Sequence, residues 1–107
     1  MDVDVLTFIK SCVKRRRIRW TYRINMRLKG RFIPREAILS SVDAYEIIEE
    51  YPKDKYLPSY LMYAEYQGDV IHILIAADSV NDVVTIITAY RPDREDWERD
   101  LRTRRRR

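Results

Sequence analysis

SYLMYAEY (Ser59–Tyr66), VIHILIAA (Val70–Ala77) and VVTIITAY (Val83–Tyr90) follow one another with only Gln67-Gly68-Asp69 and then Asp78 to Asp82 between them. Each segment is of strand length, rich in β-branched and aromatic residues, and free of internal Gly or Pro. A parallel crossover needs about a dozen residues or more, so connections this short predict hairpins. The three segments therefore form an antiparallel meander. In the middle one, Val70–Ala77, every residue is apolar except His72. A strand apolar on both faces is covered on both sides.

Upstream of the meander, Tyr45–Tyr51 reads as a further strand, and Glu46, Glu49 and Glu50 mark it as a sheet edge. Pro52 to Pro58 is a loop. Asp4 caps a first helix whose apolar stripe is Val5, Phe8, Ile9, Cys12 and Val13. Thr21 caps a second helix, Tyr22–Lys29, with Gly30 as its left-handed terminal residue. Pro34 opens a third, Arg35–Val42. Downstream, Asp93 caps a last helix docked by Trp97 and Leu101 at i, i+4. The expected class is α+β: N-terminal helices packed on a four-stranded, mainly antiparallel sheet, with a C-terminal helix. Residues 1–101 form one domain and 102–107 a basic tail.

The chain has 107 residues, 46% hydrophobic and 36% charged, which suits one water-exposed domain with a single core. No apolar run approaches the roughly 18 residues of a membrane span, and the acidic start (Asp2, Asp4) does not suit a signal peptide. The single Cys12 forms no internal disulfide and no Cys/His cluster offers a zinc site, so neither metal nor other cofactor is expected and a cytoplasmic location fits. The net charge of +4 hides a segregation. Ten basic residues fall in two runs, Lys14 to Arg19 and Arg102 to Arg107, which leaves 11 basic against 17 acidic elsewhere. Such runs read as contacts for phosphate or an acidic partner, or else as a helix C-terminus and a solvated tail.

Several stretches carry a family likeness: Trp20-Thr21-Tyr22-Arg23, Met26 to Glu36, Glu46 to Pro52, Ile71-His72-Ile73-Leu74, and Thr88-Ala89-Tyr90-Arg91-Pro92. Together, over most of residues 20–97, they resemble a family of small uncharacterised prokaryotic domains grouped by fold with the RelE/ParE-like and BrnT-like toxins. The resemblance implies a RelE-like toxin fold and a role in a toxin–antitoxin pair as a ribosome-linked endoribonuclease or translation inhibitor. It also implies a cognate antitoxin as partner, in some members a zinc-finger protein. His72 matches a histidine of the family's sheet motif, and Arg27, Arg31 and Tyr90 match other polar positions. Arg23 stands where many members have a histidine, and a guanidinium binds phosphate but does not shuttle protons.

The candidate catalytic residues are Arg27, His72 and Tyr90. His72 titrates in the range suited to acid–base work, and Tyr90 ends a strand, where side chains emerge into clefts. A packed, hydrogen-bonded histidine and a plain strand tyrosine are the structural alternatives. Arg15, Arg16, Arg17, Arg23, Arg31 and Arg91 are candidates for holding an RNA backbone, with Tyr51, Tyr56 and Tyr60 as base-stacking surfaces. RNA or the ribosome is the expected partner, and the strand edge at Tyr45–Tyr51 offers pairing to a second copy or an antitoxin strand. A non-enzymatic RNA- or protein-binding module is the alternative.

Overall fold

The computed structural model describes residues 4–106; readings that fell on Asp2, Val3 and Arg107 lie outside them. Helix α1 spans Val5–Lys14, strand β1 Ile18–Arg19, helix α2 Tyr22–Gly30 and helix α3 Arg35–Ser40, followed by a 3₁₀ turn at Val42–Ala44. Strands β2 (Glu46–Tyr51), β3 (Ser59–Tyr66), β4 (Asp69–Asp78) and β5 (Val83–Tyr90) complete the sheet. Its order is β1-β5-β4-β3-β2, and only β1 against β5 is parallel. The class is α+β, with a five-stranded mixed sheet and three α-helices among the described residues.

The meander forms as the turn chemistry requires. Gln67 and Gly68 both take positive φ, the conformation of a two-residue hairpin whose twist matches its strands. Asp4 accepts from the Thr7 amide at 2.9 Å and Thr21 from the Ile24 amide at 3.1 Å, so both predicted N-caps form. Ile9, Cys12 and Val13 of α1 and Ile24 and Leu28 of α2 are buried against Met62, Ala64, Ile71, Ile73, Ile75 and Ala89. Alternation along β3 and β4 puts those residues on one face, and Leu61, Tyr63, His72 and Leu74 on the other.

Three expectations are corrected. Gly30 closes α2 as a helical residue, and the left-handed position falls two residues later, at Phe32. The sheet has a fifth strand, β1, with Ile18 opposite Val84 and Arg19 opposite Thr85. It lies inside the basic run, where charge masks any strand pattern. The C-terminal helix does not form. The Trp97 amide donates to the Asp93 carbonyl at 3.1 Å, which makes one turn, and the chain then bends away. The Glu98 amide donates to Thr103 O at 2.7 Å, the Arg105 amide donates to Asp96 O at 2.8 Å, and Trp97 pairs with Arg104 as an isolated antiparallel bridge. Trp97 and Leu101 still dock. With only two apolar residues, this segment has too narrow a stripe to hold a helix down. Asp100 instead nucleates a turn, accepting from the amides of Arg102 and Thr103 at 2.9 and 3.0 Å. The result is a strap, residues 93–106, laid across the sheet face that the helices leave open.

Candidate functional site

Under the strap lies the sequence's main catalytic candidate. His72 is fully buried. Its Nε2 lies 2.6 Å from the Leu101 carbonyl oxygen, and a carbonyl only accepts, so Nε2 carries the proton. Nδ1 is then the acceptor facing the Tyr90 hydroxyl at 3.3 Å. Burial holds the imidazole below its usual range, opposed by the Leu101 bond and by nearby Glu49. Burial also pushes Tyr90 up to about 12. Both groups are therefore neutral, and both ring nitrogens are engaged. The Trp97 ring meets His72 edge-on at 4.5 Å and Tyr90 does so at 5.3 Å.

Arginines hold the strap in place. Arg102 stacks on Tyr63 at 3.8 Å and pairs with Glu46. Arg104 lies over Trp97 at 4.5 Å and makes two bonds to Glu49, at 3.0 and 3.1 Å. Those bonds hold the Glu49 carboxyl below its ordinary range. The basic tail is thus the strap's fastening to an acidic edge strand.

The first basic run is also occupied by the chain itself. Arg15 grips both Asp82 oxygens at 2.7 and 2.8 Å, and Arg17 donates to the carbonyls of Asp82 and Asn81 at 3.0 Å each. Arg16 folds back to the Val13 carbonyl at 3.0 Å. Arg31 donates to Thr88 Oγ1 and the Ala89 carbonyl at 3.0 and 2.8 Å, on the stretch of β5 that β1 does not reach. Arg91 binds the carbonyls of Arg31 and Phe32 at 2.7 and 3.2 Å, tying the end of β5 to the turn after α2.

Arg23 and Arg27 differ. Neither guanidinium has a hydrogen bond or ion pair among the described residues. They stand at i, i+4 on α2, away from Ile24 and Leu28, which face the sheet. Beside them Tyr22 is 79%, Met26 49% and, after the helix, Phe32 84% exposed. Arg27 thus lies on the helical layer, while His72 and Tyr90 lie on the opposite face, so the three catalytic candidates do not form one site. The tyrosines proposed for stacking are dispersed as well: Tyr60 packs against the helix-side core, Tyr51 bonds Glu49, and Tyr56 lies under Lys55 at 5.2 Å.

The sequence matches the family described as Domain of unknown function (DUF4258) over residues 20–91. The chain belongs to the DUF4258 family. No curated protein and no solved structure matches it. The DUF4258 match includes α2, the turn at Phe32 and the His72–Tyr90 pair, whereas α1 and the strap lie outside it. Among the described residues no three His, Cys, Asp or Glu side chains converge as metal ligands, and no helix is long and apolar enough to cross a membrane. Sequence reasoning passed over Phe32 and Met26. The signal that was available is apolar residues interleaved with basic ones on the outer side of α2.

Proposed function

We propose that this DUF4258 chain is an RNA-directed protein of RelE-like toxin fold that works as a binding module through the outer face of α2. The observation that carries the reading is the unpartnered Arg23 and Arg27 beside exposed Tyr22, Met26 and Phe32. Unpaired guanidinium groups meet phosphates without first breaking an internal ion pair, and exposed aromatic faces stack on unpaired bases. Helices on one face of an antiparallel meander support the RelE-like reading, which makes a cytoplasmic location and a cognate antitoxin, a zinc-finger protein in some relatives, the natural setting.

The test uses the purified full chain with labelled single-stranded RNA. The expected result is binding that weakens steeply between low and moderate salt, with the RNA left intact. Affinity unchanged across that range contradicts the reading. A second reading, ribosome-linked endoribonuclease, draws on the His72–Tyr90 hydrogen bond. A buried histidine with both nitrogens engaged has no proton to exchange with substrate until the strap lifts. Expression in a bacterial host with mapping of RNA 5′ ends separates the two: new, position-specific ends support the nuclease, and their absence supports the binding module.

A further inference from the structure

Phe32 stands at φ 55, in the left-handed region where a residue bearing a Cβ is disfavoured. The Phe32 amide donates to the Lys29 carbonyl at 3.2 Å and the Ile33 amide to the Leu28 carbonyl at 2.9 Å, so this conformation closes α2, yet the residue is 84% exposed and burial does not reward a large side chain there. Among the described residues four other non-glycine residues take positive φ. Arg16 closes α1 with the same backbone bonds but carries a polar side chain, Asp82 holds Arg15, Leu101 is half-buried in the strap, and Gln67 is a polar residue in a hairpin turn. Phe32 is the large apolar member left in solvent.

Phe32 lines a recess of about 220 Å3 together with Tyr66, Gln67, Asp69 and Arg91. That is smaller than the roughly 300–1,000 Å3 of sites for drug-sized ligands, and it suits one planar ring system. We infer that this recess takes a single unstacked base of a single-stranded RNA, with Phe32 stacking on the base. Asp69, which pairs with Arg91 at 3.8 Å, and the Gln67 amide supply acceptors and donors for a base edge; Arg91 is already held by the Arg31 and Phe32 carbonyls, so the adjoining phosphate falls to the unpartnered Arg27 of α2. The recess continues the α2 surface, since Arg27 and Lys29 lie in the helix's last turn, just before Phe32. The inference rests on the RNA-binding reading and names where a base is held.

The experiment titrates labelled uridine and adenosine 12-mers with the full chain and its Phe32→Trp, Phe32→Leu and Phe32→Gly variants, alongside Arg23→Ala/Arg27→Ala. Phe32→Trp is expected to keep the affinity. Phe32→Leu and Phe32→Gly are expected to lose roughly fivefold to a hundredfold, the range for one stacked base. Phe32→Gly relieves the left-handed strain, so its melting temperature should equal or exceed that of the parent. Loss of binding in that variant is then not a folding defect. If Arg23→Ala/Arg27→Ala binds weakly while Phe32→Leu and Phe32→Gly bind like the parent, the base recess is overturned and RNA binding stands. If the parent binds neither oligonucleotide, both ideas fall, and a protein partner for Phe32 takes their place.

Discussion

Arg15 and Arg27 both sit near the C-terminal ends of short helices, yet one is spent inside the molecule and the other is not. Arg15 holds both oxygens of Asp82, on the hairpin 67 residues away, and so joins α1 to the β4–β5 turn. Arg27, four residues after Arg23 on α2, holds nothing among the described residues. In sequence the denser cluster is the one around Arg15. The comparison teaches that the density of arginines along a chain does not mark the surface that meets a partner. The supply of carboxylates and open carbonyls around each guanidinium decides it. The strap extends the same lesson, because Arg102 and Arg104 are consumed by Glu46 and Glu49 on the sheet edge.

The comparison can be broken most violently at Trp97. It is almost fully buried and anchors the strap on His72. Trp97→Ala should cost about 3–5 kcal/mol, read as a shift of the urea midpoint. A loss below about 1 kcal/mol would mean that the arginines, not the indole, hold the strap. Next in size is the pH response of His72. The unfolded imidazole titrates near about 6.5, and burial lowers the folded value. The unfolded state therefore binds the proton more readily. The stability contributed by the neutral ring is complete above that pH and declines as pH falls from there toward the folded value. Stability should thus start to drop as pH falls below about 6.5, before the carboxylates lose their contribution at lower pH. As the chain's single histidine, His72 can be followed directly by NMR. A ring titration midpoint at or above about 6.5 contradicts the sealed geometry.

Smaller effects sharpen the contrast between the two arginine sets. Arg15→Ala removes an exposed bidentate pair and should shift the urea midpoint only slightly, with RNA affinity unchanged. Arg27→Ala should leave stability within about 0.5 kcal/mol of the parent and weaken RNA binding instead. A large stability loss at Arg27 would show an internal role for it.

Much of the architecture was legible in the chain. The meander came from three β-rich runs and their short turns, the helix starts from Asp4 and Thr21, and the covering of β4 from its apolar character on both faces. What was hidden depended on tertiary pairing. Ile18-Arg19 is too short and too charged to announce itself as a strand, and it exists because the edge of β5 at Val84 and Thr85 accepts it. Residues 93–101 carry helix-start signals, but Trp97 gains more from His72 and the Arg104 guanidinium than a charged single-stripe helix could offer. Gly30 reads as the left-handed helix terminus, yet it closes α2 as a helical residue, and the left-handed position passes to Phe32. Of the candidate site residues, His72 and Tyr90 were legible one by one, but that they lie opposite each other is set by the β4–β5 register, which shifts at Leu74/Ile75 and is not written in either strand alone. Which arginines remain unpaired was not legible, because that depends on partners as distant in sequence as Asp82 and Ala89.

The most direct test compares two double variants, Arg23→Ala/Arg27→Ala and Arg15→Ala/Arg17→Ala, titrated with single-stranded RNA over a salt series. The account predicts that the α2 variant loses affinity and that its log–log salt slope falls by roughly 1.4, at about 0.7 per phosphate contact. The Arg15/Arg17 variant keeps the parent's slope. The reverse pattern, with slope lost at Arg15 and Arg17 and retained without Arg23 and Arg27, would contradict it.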